Sequence, residues 1–326
     1  MIKRNLIKRV MAAGAIMAVT LSLAGCGAGS RSVKLGAAGV GGGYYAFSNA
    51  FAQMAVAEDE DLDFEVKATA GSTANIRLLS DGYIDMAIAQ ADLVDAAYNG
   101  TGATDKKRYR GYSAVASLYT EACQIVVRAD SGIDSLDDLQ GKKVSVGEEE
   151  SGTQRNAEQI LKMTGLVESL VDTVNLDYVD AANELKSGQI DAFFCTAGIQ
   201  TSVIEELSKE CDVKLIGIDD KCRDRLKSVY GFYTDYTIPA GTYEGQDQDV
   251  ETLGVRAVLL ARDDMDEEIV EELTGLLFEH AQDIQYSIAL TFQIDESEAV
   301  KNVTIPFHDG AKAYYQKKGI EIPTEQ

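Results

Sequence analysis

The stretch Val33-Lys34-Leu35-Gly36-Ala37-Ala38-Gly39-Val40-Gly41-Gly42-Gly43-Tyr44-Tyr45-Ala46-Phe47, continued to Ala57, decides the architecture. Val33 to Gly36 reads as a short apolar strand, Ala37 to Gly43 as a glycine-rich turn, and the remainder as a helix. Phe47, Phe51, Met54 and Ala55 recur at helical spacing and share one face. Gly39, Gly41, Gly42 and Gly43 let backbone approach a bound group with no Cβ in the way. The helix start adds N–H groups that lack intrahelical partners and the positive end of the helix dipole. Together these parts form a main-chain holder for a small anionic or polar ligand.

The same succession returns further on. Val144 to Val146 reads as a strand, Gly147 to Gly152 as a polar turn and Thr153 to Met163 as a helix. A second element also repeats: Leu78-Leu79-Ser80-Asp81-Gly82-Tyr83-Ile84-Asp85 before Met86 to Ala89, and Leu185-Lys186-Ser187-Gly188-Gln189-Ile190-Asp191 before Ala192 to Cys195. Each reads as a helix end, a glycine cap and a strand. Four elements matched in order predict two lobes of like topology.

Working outward, Phe64 to Thr69 reads as a strand leading into the turn Ala70 to Asn75, with Ser72 or Thr73 as N-cap of the next helix. Met86 to Ala89 ends in Gln90. In open α/β sheets ligands bind beyond the carboxyl ends of strands, which singles out Gly43, Ser72 and Gln90. Gly111 to Tyr119, Cys123 to Asp130 and Ala257 to Asp263 read as strands, the last two crossing between lobes. In the second lobe Ser151, Gly152 and Thr153 open a helix, Arg155 lies on its first turn, and Glu148, Glu149 and Glu150 are expected to face solvent. Asn175 to Val179 reads as a strand. Gly198 follows the strand Ala192 to Cys195, and Phe232 or Tyr233 is placed to wall a ligand.

A chain of 326 residues with 45% hydrophobic and 25% charged content has the composition of a two-domain globular protein. A formal charge of −23 argues against nucleic-acid binding, which needs a basic face. The first 25 residues read as a targeting segment: Lys3, Arg4, Lys8 and Arg9, then an apolar run from Val10 to Leu23, too short to span a bilayer. Leu23-Ala24-Gly25-Cys26 resembles a bacterial lipobox, which implies lipidation (palmitate or a like acyl group) at Cys26 and an extracytoplasmic protein anchored at the cell surface or in the periplasm. Residues 26–32 serve as a tether. Of the other cysteines, Cys123 and Cys195 read as buried thiols, while Cys211 and Cys222 are candidates either for a disulfide or for free thiols. With no CxxC and only His280 and His308, no metal or other cofactor is expected.

Catalysis is not expected. Gly41, Gly43 and Ala46 fit a loose dinucleotide pattern, but Tyr44 and Tyr45 crowd the pyrophosphate position, and Lys67-Ala68-Thr69 offers no acid for a ribose. No Lys-Ser or Lys-Thr pair follows the glycines, and no His stands near a candidate nucleophile.

The ordered set of turns resembles the TAXI family, the substrate-binding proteins of one branch of TRAP transporters. The matching stretches are the glycine turn with Tyr44-Tyr45, Gly71-Ser72 with Asn75 and Leu78-Leu79, Asp85 to Gln90, Val127 to Ile133, Val144 to Thr153, Ile190 to Phe194, Ile238 to Tyr243 and His308-Asp309-Gly310-Ala311. Cys123, Cys195, Asp309 and the triple glutamate depart from the family pattern. The resemblance implies an α/β, two-lobed periplasmic-binding-protein fold (type II-like), each lobe a central mostly parallel sheet flanked by helices, with two crossing strands at the hinge. The expected division is residues 33–122 and 256–326 for lobe 1 and 123–255 for lobe 2. It implies capture of a small carboxylate, a glutamate-like amino acid or a 2-oxo dicarboxylate, by a monomeric protein that delivers it to TRAP membrane subunits. The rival readings are a ligand-dependent sensor of the same fold and a secreted enzyme. The candidate ligand contacts are Gly42, Gly43, Tyr44, Ser72, Asn75, Gln90, Ser151, Gly152, Thr153, Arg155, Gly198 and Tyr233.

Overall fold

The structure, a computed structural model, describes residues 31–102, 106–167, 169–288 and 294–323. The targeting segment and Cys26 lie outside them. In chain order the first unit is β1 (Arg31–Gly36), α1 (Gly43–Glu58), β2 (Leu62–Lys67), α2 (Ser72–Ser80), β3 (Met86–Gln90) and α3 (Ala91–Asn99). A long strand β4 (Tyr112–Arg128) leads to β5 (Lys143–Ser145), α4 (Gly152–Thr164), β6 (Asp172–Val174), α5 (Tyr178–Ser187) and β7 (Ala192–Ala197). Then come α6 (Ser202–Glu210), β8 (Val213–Leu215), α7 (Asp220–Val229), β9 (Thr234–Ile238) and a second long strand, β10 (Val250–Arg262). Helices α8 (Glu267–Glu279), α9 (Ala281–Ser287) and α10 (Asp309–Lys318) follow.

One hydrogen-bonded sheet runs β2-β1-β3-β10-β4-β7-β5-β6, with β8 on β4 and β9 on β10. Its two halves repeat one plan. In the first, β1 pairs in parallel with β2 and β3, and β10 enters antiparallel between β3 and β4. In the second, β5 pairs in parallel with β6 and β7, and β4 enters antiparallel between β7 and β8. The two long strands therefore belong to both halves. Core side chains divide at the same place: one cluster takes β4 up to Tyr119 and β10 from Ala257 onward, and another takes β4 from Cys123 and β10 at Leu253 and Val255.

Parallel strands covered on both faces are apolar throughout. All five residues of β3 and all six of β7 are buried. On α1, Phe47, Phe51 and Ala55 are fully buried and Met54 is half-buried, as the helical spacing requires. Buried aliphatic and aromatic side chains of this kind contribute about 1.5–3 kcal/mol each.

Several local expectations are corrected. The segments Gly111–Tyr119 and Cys123–Asp130 are one strand, β4. The strand expected over Asn175–Val179 is β6 at 172–174. Asp177 instead caps α5 by accepting the Asp180 N–H at 2.8 Å. Arg31 and Ser32, assigned to the tether, open β1, where Arg31 ion-pairs with Asp59 and Glu272. The strand expected at 64–69 begins two residues earlier, because Leu62 is buried and pairs with Arg31.

Candidate functional site

Tips of helices from both halves converge on one small cavity. Its walls are Ala38, Gly39, Gly42, Gly43, Tyr44, Ala70, Gly71, Ser72, Gln90 and Glu121 from the first half and Glu148, Ser151, Gly152, Thr153, Asp177, Tyr178, Thr196 and Ala197 from the second. The space open to the centre of a water-sized sphere is about 40 Å³, room for a few waters. The two halves are shut against each other.

The glycine turn explains how they close so far. Gly41 takes a φ of +85°, and a Cβ at Gly42 would stand 3.1 Å from the Tyr178 ring and 3.2 Å from the Gly39 carbonyl. Gly71 has φ +121°, and its Cβ position would face Ser151 Cα at 3.4 Å. Gly152 lies flat under the Gln90 side-chain amide, whose atoms would be 2.5–2.6 Å from a Cβ. That amide donates to Asn156 Oδ1 across the cleft at 3.0 Å.

The helix tips differ in what they offer. Ser151 caps α4, its Oγ accepting the Gln154 N–H at 2.9 Å, while Gly152 and Thr153 precede any intrahelical acceptor. Gly42 is the N-cap of α1 and brings no capping side chain. The tip of α2 is already occupied: the Glu150 carbonyl accepts the N–H groups of Thr73 and Ala74 at 3.0 and 3.2 Å. Glu150 adopts φ +64° to reach it, and its carboxylate takes Arg77 in a two-toothed pair at 2.7 and 3.1 Å. Glu150 is thus a contact between the halves while its side chain stays exposed to solvent.

The cavity is acidic. Glu121, Glu148 and Asp177 line it, and no Lys or Arg does among the described residues. Burial pushes the Glu121 carboxyl up to about 8, against which the hydrogen bonds from Tyr44 and Gln90 act weakly. Glu148 is raised by partial burial and by the neighbouring Asp177 charge. Tyr44 donates to Glu121 Oε2 at 2.6 Å, and burial and that carboxylate raise its phenol. Tyr178 donates to the Thr196 carbonyl at 3.1 Å and bonds Thr153 Oγ1 at 2.6 Å, tying α5 to β7 and α4.

Of the twelve candidate contacts, the structure brings Gly42, Gly43, Tyr44, Ser72, Gln90, Ser151, Gly152 and Thr153 together on the cavity. Ser72 is not an N-cap. Gly71 holds that position, and Ser72 Oγ accepts the Gln90 N–H at 3.1 Å. Four candidates stand elsewhere. Asn75 is a brace beneath the turn: its amide donates to the carbonyls of Ala37 and Ile88 and its Oδ1 accepts from Thr69. Arg155 lines a separate, larger cleft of about 610 Å³ beside Gln159. The Gly198 carbonyl is taken by the Thr201 hydroxyl. Tyr233 is buried behind the site, accepting from Asn156 Nδ2 at 2.8 Å and so fixing the residue that holds Gln90. Phe232 also lines the larger cleft.

Glu121, Glu148, Asp177 and Tyr178 were not among the candidates. A lone acid inside the apolar run of β4 was the available signal for Glu121. Asp177 was readable as a helix N-cap. Cys211 and Cys222 are both free thiols. Cys222 packs into the core around Ile216 and Ile218, whereas Cys211 lies against the cluster of Ile204 and Leu207.

This arrangement is a two-lobed periplasmic-binding-protein fold, with the cavity between the lobes. A family model described as the NMT1-like family matches residues 35–319, and the chain belongs to that family. Solved structures with the same fold include a protein of Bordetella bronchiseptica RB50 (TM-score 0.58, 16% identity, covering 89% of this chain and 98% of that one). Another is PhnD1 from Prochlorococcus marinus MIT 9301, solved with methylphosphonate (TM-score 0.55, 13% identity, 89% and 99% covered). A third is the substrate-binding protein of an ABC uptake transporter from Streptococcus pneumoniae with bound histidine (TM-score 0.51, 13% identity, 82% and 96% covered). Identities this low establish the shared fold and leave the ligand to be argued from the site.

Proposed function

We propose that this chain is an extracytoplasmic solute-binding lipoprotein, not an enzyme, that captures a glutamate-like amino acid between its lobes and delivers it to the membrane subunits of a TRAP transporter. The observation that carries the reading is the cavity itself: enclosed by both lobes, tipped by the N-termini of α1 and α4, and walled by Glu148 and Asp177. Free N–H groups at helix starts suit a ligand carboxylate. Acidic side chains suit an ammonium group. A 2-oxo dicarboxylate, the other ligand class the family resemblance implies, brings two anions and nothing to answer the acids.

Capture follows from population shift. A solute touching α1 and α4 together stabilises the shut form by its differential affinity for that form. The two strands shared by the halves, β4 and β10, are the hinge in this reading, with lobe 1 as residues 33–122 and 256–326 and lobe 2 as 123–255. The TRAP partner rests on the ordered motif set, and lipid anchoring on the Leu23-Ala24-Gly25-Cys26 sequence. The protein acts as a monomer.

Mass spectrometry of small molecules released from the purified protein, followed by calorimetry with a panel of amino and dicarboxylic acids, tests the reading. A released amino acid that rebinds with heat supports it. Silence across the panel, with nothing released, refutes it.

A further inference from the structure

Glu121 lies midway along β4, between the core that ends at Tyr119 and the core that begins at Cys123. The residue lines the cavity and is 2% exposed. The groups that face it can be named element by element. From α1 comes Tyr44, its hydroxyl donating at 2.6 Å. From β3 comes Gln90, whose amide hydrogen-bonds the carboxyl and whose buried Oε1 has no donor among the described residues. Asp92 approaches from the first turn of α3. From its own strand come Tyr119 and Cys123, and from α5 and β7 come Tyr178 and Cys195. The β10 partner is Val255, which carries no charge. Glu148 and Asp177 share the cavity wall. These are phenols, thiols, an amide and further acids, with no base among them. Arg155, the cation felt by Asp92, opens instead on the larger cleft.

A carboxylate so placed has no counter-ion among the described residues, and an ionised acid in a low-dielectric site without one is strongly disfavoured. The Tyr44 hydroxyl serves Oε2, and the Gln90 amide lies against the same carboxyl. Glu121 also lines the cavity, where a solute anion must lie if helix tips hold it.

We propose that Glu121 is a specificity-determining residue of the cavity, standing as a neutral carboxylic acid whose O–H donates a hydrogen bond to a carboxylate oxygen of the bound solute. This rests on the cavity being the ligand site. No covalent bond forms or breaks, and the proton stays on Glu121. The assignment explains how an acid-lined cavity without Lys or Arg accepts an anion: the deepest acid is a donor, while Glu148 and Asp177 remain for the ammonium end.

The pH dependence has a definite sign. Burial holds the Glu121 carboxyl at about 8. Affinity is therefore level through neutral pH and falls about tenfold per pH unit above that value, as donation is lost. Were an ionised Glu121 instead the acceptor of the solute's ammonium, affinity would rise with pH over the same range.

The test has two parts, both on the soluble mature protein. Infrared spectroscopy reads a protonated-carboxyl C=O stretch at pH 6.5 that fades above about pH 8 and is missing in Glu121→Gln. Calorimetry with L-glutamate as probe, from pH 6 to 9.5, reads level affinity and then the fall. Glu121→Gln keeps an N–H donor, so its profile is flat and its affinity within about tenfold of wild type below pH 8. Absence of the stretch in wild type overturns the proposal. So does L-glutamate binding that is pH-independent or stronger at pH 9.5. A stretch that behaves as described in a protein that binds no L-glutamate brings down the amino-acid reading, and this proposal with it.

Discussion

Gly152→Ala separates closure from folding. Gly152 is the first residue of α4, and its backbone is not in the left-handed region, so alanine is permitted there. Within the lobe the change favours the helix by roughly 0.5–1 kcal/mol, because glycine loses more chain entropy on ordering. Across the cleft it is harmful. The new Cβ would lie 2.5–2.6 Å from three atoms of the Gln90 amide. That amide is 2% exposed and tied to Asn156, so it cannot swing aside without breaking the bond. Overpacking of this kind costs about 1–3 kcal/mol, and only in the shut form, since the open form parts Gln90 from Gly152. At 1.4 kcal/mol per tenfold, affinity for the solute falls roughly 5- to 150-fold. The melting temperature without ligand stays level or rises. Calorimetry and thermal melting on the same preparation read the two quantities, and X-ray scattering with ligand reads whether the envelope still contracts. Unchanged affinity would mean that Gln90 moves freely and that the contact does not limit closure. A lowered unliganded melting temperature would mean that the residue is structural.

Three further outcomes are expected. Asn75→Ala lowers folding stability by about 1–3 kcal/mol, since the Ile88 carbonyl loses this donor and the Ala37 carbonyl is left with the Thr69 hydroxyl alone. Denaturant melts read the loss, and ligand affinity measured well below the transition changes far less. Glu121 is protonated in the folded state up to about 8 but ionises near 4.5 once unfolded. The folded form thus binds more protons between those values, and stability declines as pH rises through that window, by roughly 1.4 kcal/mol for each pH unit crossed and a few kcal/mol in all. Chemical melts at pH 5 and pH 8 should show a wild-type decline that Glu121→Gln reduces. Thiol titration without reductant should find Cys123, Cys195, Cys211 and Cys222 all reactive in denaturant. In the native protein Cys211 should react first, as the other three are buried and burial raises the Cys123 thiol to about 12. A mass two hydrogens short would show a disulfide and count against the free-thiol arrangement.

What the chain disclosed beforehand was chiefly local. Glycines before an apolar helix, a serine opening α4 and the strand end at Gln90 are signals written within a few residues, and these residues do line the cavity. Misplaced residues depended on distant partners. Asn75 has the look of a ligand contact, yet its donors are spent on Ala37 and Ile88, which sequence spacing does not reveal. Glu121 interrupts an apolar run and so reads as a gap between strands. Only the joining of that run into one strand, with the helix tip of α1 above it, makes it a cavity wall. Glu150 reads as solvated because its neighbours are glutamates. Its role depends on the other lobe's helix arriving within hydrogen-bond distance.

The contacts made by Glu150 bear on how closure is balanced. Its carbonyl satisfies two N–H groups of α2, about 1 kcal/mol each in net terms. Its carboxylate pairs with Arg77, but both side chains are substantially exposed, so that bond adds only about 0–1 kcal/mol. Against these stands the left-handed backbone of a residue that has a Cβ, which costs roughly 1–2 kcal/mol. The sum is small, about 0–2 kcal/mol in favour of the shut form. The Glu150 contacts therefore shape the shut form without by themselves committing the molecule to it. The α2 tip is filled by protein, so a solute moves the balance through the tips of α1 and α4 and the acids beside them. A residue at position 150 that reached the α2 tip without strain would leave the lobes shut when empty, and a receptor already shut has no entrance.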